Sequence, residues 1–132
     1  KFRRTQSQQN LGTPYPNLET TELDSILSQS LGLLKFQSTY QRINLPDTRV
    51  IVAGDFHGQL DSLNKLFDQA GEPSSDNAYV FLGDYADRGE HGVELLALLF
   101  AYKLLFPGQV FLLKGMHELK EINIIYGLKD EC

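Results

Sequence analysis

Tryptophan is absent from the 132 residues, and cysteine and methionine occur once each. A lone Cys132 can build neither an internal disulfide nor a thiolate metal cage. A reducing compartment, cytoplasmic and/or nuclear, is therefore the expectation. The single methionine is Met116, not residue 1, so the chain is expected to be a processed or excised piece of a longer protein. Long apolar runs are missing too. The longest, Leu95–Phe106, is broken by Lys103 and falls short of the ~20 residues that span a bilayer. The basic start Lys1-Phe2-Arg3-Arg4 runs into Gln, Ser and Asn, with no apolar segment of a secretory leader behind it. No membrane partner is expected. Positive charge is scarce: Lys and Arg number 12 against 17 Asp and Glu, for a net charge of −5. Three of those cations sit in the first four residues, so a basic nucleic-acid-binding face is excluded. The 42% hydrophobic and 22% charged content excludes wholesale disorder, and only 11 Gly and 5 Pro exclude collagen-like repeats. What remains is one domain, or part of a larger one.

Residues 1–18 are polar and end in Thr13-Pro14-Tyr15-Pro16-Asn17, which reads as a flexible lead-in. Residues 19–49 form an N-terminal helical region. Thr21-Glu22-Leu23-Asp24 resembles a capping box, and Leu23, Ile26, Leu27, Leu31 and Leu34 follow at helical spacing, predicting an amphipathic helix over about 20–34. Pro46-Asp47 marks a turn. From residue 50 the pattern alternates. Val50–Ala53 is a β-branched run ending at a glycine, and Gln59–Ala70 places Leu60, Leu63, Leu66 and Phe67 on one helical face. Ala78–Leu82 is a second strand. Val93–Phe106 is a helix apolar nearly all round, hence buried on both sides. Val110–Leu113 is a third strand, and Glu118–Tyr126 a short helix. The fold class is α/β: a βαβαβ unit whose ligands gather beyond the carboxyl ends of its strands.

Each strand runs into glycine-flanked, chemically loaded residues: Gly54-Asp55-Phe56-His57-Gly58, then Gly83-Asp84-Tyr85-Ala86-Asp87-Arg88-Gly89, then Gly115-Met116-His117-Glu118. One such turn alone reads as structure, and an isolated Asp-Arg-Gly reads as a surface ion pair. Three at successive strand ends predict that Asp55, His57, Asp84, Asp87, Arg88 and His117 converge. Carboxylates with imidazoles suit Mn, Fe or Zn. The Arg88 guanidinium offers a planar fork to a phosphate. His117 has an intrinsic pKa suited to protonating a leaving alkoxide. His91 falls outside the pattern and reads as an exposed residue starting the helix at Val93. Tyr126, Phe100 and Tyr102 read as core or boundary residues.

In this order the motifs resemble the phosphoprotein phosphatase family of serine/threonine phosphatases, within the calcineurin-like metallophosphoesterases, from about Ile51 to the end of the chain. The resemblance implies that residues 50–132 are a partial metallophosphoesterase catalytic domain, the first βαβαβ half of a sandwich fold with a strand-end metal site. It implies that Asp55 and His57 hold one metal, that Asp84 bridges two, that Asp87 and His117 form an acid dyad, and that Arg88 binds the substrate phosphate. It further implies hydrolysis of phosphoserine and phosphothreonine by a metal-activated hydroxide, a divalent cofactor (Mn, or Fe and Zn), phosphoprotein substrates and regulatory subunits.

Met116 departs from the family pattern. It stands where the family has an asparagine ligand to the second metal, and a thioether is too soft for a hard site. The family's remaining histidine ligands and second arginine would lie beyond Cys132. At most one metal, in place of two, is therefore expected here, with little activity from this chain alone. The alternative is a pseudophosphatase that binds phosphoproteins or regulators without hydrolysing them. A nucleotide hydrolase or nuclease fits less well, given Asp87-Arg88-Gly89 together with His117-Glu118 and the acidic net charge.

Overall fold

The structure is a computed structural model that describes residues 19–132. The lead-in expected at 1–18 lies outside the described residues. The elements run α1 (Thr20–Leu34), β1 (Arg49–Ala53), α2 (Leu60–Ala70), β2 (Asn77–Phe81), α3 (Gly92–Leu105), β3 (Val110–Leu112), a single 3-10 turn at Met116–Glu118, α4 (Lys120–Tyr126) and α5 (Leu128–Glu131). The three strands form one parallel sheet in the order β1-β2-β3. Ile51 lies beside Tyr79 and Tyr79 beside Val110; Ala53 lies beside Phe81 and Phe81 beside Leu112. Parallel neighbours need crossovers, and right-handed crossovers in a sheet of sequential order place both helices on one face.

That face carries the core. Leu60, Leu63 and Phe67 of α2 and Leu95 and Leu99 of α3 pack with Ala53, Tyr79, Phe81 and Val110 of the sheet. Phe67 meets Tyr79 edge-on at 5.4 Å, and Tyr79 stacks with Phe81 at 5.5 Å. The period-2 alternation of strands turns Val50 and Val52 to the opposite face, where both are exposed. The all-round apolar character of α3 has its reason in the layering: the helix touches α1, α2, α5 and β3. Lys103, near its end, is fully buried and donates to the carbonyls of Pro107 (2.8 Å) and Val110 (2.6 Å).

Two local expectations are corrected. The N-terminal box of α1 lies two residues earlier than Thr21. Glu19 is the N-cap, and its N–H donates to Glu22 Oε2 at 3.1 Å. The helix expected over 118–126 is divided, because Leu119 is extended (φ −80°, ψ 134°) between the 3-10 turn and α4. Gly127 then takes φ 114° to end α4 and start α5, a conformation that costs glycine little. Among the described residues no helix is long and apolar enough to cross a membrane.

Candidate active site

The three loops leaving the carboxyl ends of β1, β2 and β3 are drawn together by backbone contacts that only glycine permits. A Cβ on Gly83 would lie 2.2 Å from the Gly115 nitrogen, and one on Gly89 would lie 2.3 Å from the His57 carbonyl oxygen. The second and third loops therefore meet at Gly83 and Gly115, and the first and second at His57–Gly58 and Gly89. Phe56 and His57 N–H groups both donate to the Asp84 carbonyl, at 3.1 and 3.0 Å.

Glu118 fastens the second junction. Its Oε2 accepts from the N–H groups of Asp84 and Gly115, each at 2.8 Å, and its Oε1 from that of Tyr85 at 2.9 Å. Tyr85 in turn donates its hydroxyl to the Leu113 carbonyl at 2.7 Å. Burial, reinforced by the negative Glu118, raises the Tyr85 pKa far above the ordinary phenol value.

Asp84 Oδ1 accepts from the His117 N–H at 2.8 Å, which places the third loop's histidine beside the second loop's carboxylate. One donor atom each from His57, Asp84 and His117 lie within 4.8 Å of one another. His57 Nδ1 lies 3.2 Å from the Ala86 carbonyl oxygen. A carbonyl only accepts, so Nδ1 carries the proton and Nε2 keeps a lone pair for a cation. A carboxylate with two imidazoles fits a first-row divalent cation.

His117 and Asp87 form a buried pair, with Nδ1 2.9 Å from Asp87 Oδ2 and both side chains wholly inaccessible. Asp87 Oδ1 accepts from the Leu128 N–H at 2.8 Å. Asn123 Nδ2 donates to the His117 carbonyl. The carboxylate is thus fixed by α5 and the imidazole's backbone by α4. The other imidazole nitrogen, Nε2, lies 3.5 Å from a terminal nitrogen of Arg88.

Backbone strain is concentrated here. Of the five described non-glycine residues with positive φ, four are His57 (48°), Asp84 (54°), Asp87 (65°) and Arg88 (68°). Each costs of order 1–3 kcal/mol. Gly89 N–H donates to the Asp87 carbonyl at 2.8 Å, so Arg88 is the centre of a γ-turn and projects into solvent.

The structure thus gathers His57, Asp84, Asp87, Arg88 and His117 at one sheet edge. Asp55 stands at the rim: its side chain is 62% exposed and reaches His57 Nε2 at 3.8 Å, outside the three-donor group. Met116 is 56% exposed at the start of the 3-10 turn. His91 caps α3 as expected, yet it is half-buried and its N–H donates to the Gly58 carbonyl at 3.2 Å. Tyr126 is no core residue. It is 48% exposed, with its ring 4.9 Å from that of His117 and 5.9 Å from the Arg88 guanidinium carbon. The three-way role of Glu118 was also not read from sequence. Its signal was the Gly-x-x-Glu spacing from Gly115, which lets a carboxylate turn back on the loop's own N–H.

A profile of the calcineurin-like phosphoesterase family matches residues 48–131. The fold is similar to that of a protein serine/threonine phosphatase from Saccharomyces cerevisiae described as similar to human phosphatase PP5, with a TM-score of 0.82 and 33% identity. That match covers 87% of this chain and 38% of the yeast chain, so the chain spans well under half the length of the protein it resembles. With the family's profile running from just before β1 to the end of α5, the chain belongs to the calcineurin-like phosphoesterases.

Proposed function

We propose that this site is that of a metal-dependent phosphomonoesterase acting on phosphoserine and phosphothreonine in proteins. The observation that carries the reading is the buried Asp87–His117 pair, set between Arg88 and the His57–Asp84 donors. His57 and Asp84, with Asp55 at the rim, would hold a divalent cation: manganese, or iron or zinc. Bound there, the cation supplies positive charge toward phosphoryl oxygens and acidifies water. Among the described residues there is one group of closely spaced donors, and it contains His57 and Asp84, so at most one tightly held cation per chain is expected by elemental analysis. Two of equal affinity would overturn that count.

Arg88 lies exposed at the mouth with its fork available to two phosphate oxygens. His117 carries a proton at Nε2 to the leaving serine or threonine oxygen. Asp87, hydrogen-bonded at Nδ1, fixes the ring orientation and stabilises the imidazolium before transfer. Phosphoproteins are the proposed substrates, regulatory subunits the proposed partners, and the cytoplasm or nucleus the proposed location.

The test is Mn-supplemented hydrolysis of a phosphoserine peptide by the full-length protein, because little activity is expected of these 132 residues alone. His117→Ala should lower kcat by roughly 10²–10⁴ with KM little changed, because the proton is required only in the transition state. Arg88→Ala should affect both constants. A change in KM alone for His117→Ala would remove His117 from the acid role.

Met116 favours a second reading, a phosphate-binding module without turnover. Its exposed thioether is a poor donor for a hard cation. Phosphopeptide binding that depends on Arg88, with no hydrolysis in Mn by the full-length protein and none gained there by Met116→Asn, would establish that reading in place of the first.

A further inference from the structure

Arg88 is exposed, sits on a γ-turn, and among the described residues forms no ion pair with any carboxylate. A free arginine carries about 2 kcal/mol of rotamer entropy, lost when it grips an anion. Among the described residues, His117 Nε2 lies 3.5 Å from its terminal nitrogen, and the ring of Tyr126 lies within cation–π reach, 5.9 Å from the guanidinium carbon to the ring centre. We propose that Tyr126 is a positioning residue for Arg88, a platform that pre-orders the guanidinium for a phosphate ligand. The inference rests on the phosphatase reading and names a residue that serves phosphate recognition within it.

The position of the ring is fixed from both sides. Before it, Asn123 donates to the His117 carbonyl. After it, Gly127 turns with φ 114° and the Leu128 N–H is held by Asp87 Oδ1 at 2.8 Å. The two residues of the buried pair thus clamp the segment that carries Tyr126, and its ring packs 4.9 Å from His117. A cation beside an aromatic face is attracted by the ring quadrupole. The guanidinium N–H groups point outward in the guanidinium plane, so a ring over one face leaves the fork edge open to phosphate oxygens. A half-exposed tyrosine held by two anchors beside an unpaired arginine has a recognition role that packing alone does not require. The ring face is what acts, so phenylalanine should serve equally well.

The experiment is calorimetric binding of inorganic phosphate to the full chain in excess Mn2+, comparing Tyr126→Phe, Tyr126→Leu, Arg88→Gln and the Tyr126→Leu/Arg88→Gln double variant. Tyr126→Leu should weaken phosphate binding roughly three- to thirtyfold, the range that a cation–π contact represents. Tyr126→Phe should stay within about twofold of the unaltered protein. In the Arg88→Gln background, Tyr126→Leu should cost nothing further, since the partner of the ring is gone. Undiminished binding by Tyr126→Leu, or an equal loss in both backgrounds, overturns the proposal while leaving the phosphatase reading intact. No phosphate binding by the unaltered protein in Mn2+ sinks the phosphatase reading, and this proposal with it. Should Tyr126→Leu fail to fold, the Arg88 side-chain proton shifts of the unaltered protein decide. They should lie upfield of random-coil values from the ring current and return toward them in Arg88-accessible, Mn-free urea-unfolded chain; unshifted protons in the folded chain overturn the proposal.

Discussion

Glu118→Gln is the most informative single substitution, because it changes one atom and one charge at the junction of two loops. The Glu118 carboxylate accepts three backbone N–H groups, from Asp84, Tyr85 and Gly115, all at 2.8–2.9 Å. A hydrogen bond to a charged group is worth about 1.5–3 kcal/mol, against about 0.5–1.5 for a neutral one. With its oxygen in the Oε2 position, glutamine keeps the Asp84 and Gly115 bonds as neutral ones. Its amide NH2 then faces the Tyr85 N–H, donor against donor, leaving a part-buried group unsatisfied at about 1–3 kcal/mol. Flipping the amide loses two acceptor contacts in place of one and is worse. The two weakened bonds together lose about 2–3 kcal/mol, so with the unsatisfied Tyr85 N–H the expected cost is about 3–6 kcal/mol, a large share of the 5–15 kcal/mol typical of a folded domain. Urea unfolding measures it, with an unchanged slope and a lower midpoint. A second reading of the same variant is divalent-cation affinity, since Asp84 is held through its own N–H by this carboxylate. Losing such an outer contact typically weakens metal binding about 10–100-fold. A stability loss under about 0.5 kcal/mol together with unchanged cation affinity would refute the view that Glu118 assembles the site.

Three further outcomes are expected. Ser30 is buried in α1 and its hydroxyl has no partner among the described residues, so Ser30→Ala should stabilise the chain by about 1 kcal/mol in urea, and a loss of stability would contradict this. Gly115→Ala places a methyl 2.4 Å from Asp84 Oδ1, so the Gly83–Gly115 contact must open and cation affinity should fall at least tenfold; affinity equal to the unaltered protein would show that the junction yields freely. Burial raises the pKa values of Tyr79 and Tyr85, and burial with Glu72 nearby raises that of Tyr102 to about 12. The folded chain therefore holds protons that the unfolded chain releases above about pH 10, so this stabilisation is full below pH 10 and is lost as pH rises through the raised values. Tyr102→Phe should flatten the fall in melting temperature between about pH 10 and 12, and an unchanged slope would count against the burial argument.

The α/β order, the ends of α1, α2 and α3 to within a residue or two, and the three loaded strand ends were all legible from the sequence. Hydrophobic periodicity and glycine placement report directly on which face is buried and where the chain must turn tightly. The split of residues 116–131 into a 3-10 turn and two short helices was not legible. Its cause is tertiary: Asp84 takes the His117 N–H and Asp87 the Leu128 N–H, so carboxylates from another loop decide where each helical turn may begin. Tyr126 was read only as a core or boundary residue, and its place beside the site was missed for the same reason. An aromatic at helical spacing signals burial in general, and only the anchoring of its neighbours to Asp87 and His117 brings it to the mouth of the site.

Strain tells the most about how sequence becomes site. The glycines of the three motifs pointed to tight turns, yet positive φ falls mainly on the chemical residues themselves, His57, Asp84, Asp87 and Arg88. At about 1–3 kcal/mol each, four such residues oppose folding by an amount comparable to a whole domain's stability. Asp and His tolerate this region better than most side chains, but local preference alone does not put four such residues there. What holds them is the set of contacts those conformations make possible: the Asp84 carbonyl toward the first loop, the Asp84 N–H toward Glu118, and the Asp87 carboxylate toward both His117 and Leu128. Glycine at Gly89 and Gly115 serves a different end, the absence of a Cβ where two backbones touch, and Gly83, at φ 109°, serves both. The two devices are complementary, since close backbone approach creates the junctions and the strained residues aim their side chains from them. Replacing Asp87 by asparagine separates the two effects. Asparagine tolerates the left-handed conformation and can still accept from Leu128, so the fold should survive with a loss of about 1–2 kcal/mol in urea. The charge facing His117 Nδ1 is gone, however, and with it the electrostatic support for an imidazolium. The imidazole Nδ1 proton, followed by NMR, should therefore move upfield in Asp87→Asn, because a hydrogen bond to a carboxylate becomes one to a neutral amide oxygen. An unmoved resonance in the variant would mean that Asp87 serves α5 alone and does not support the histidine.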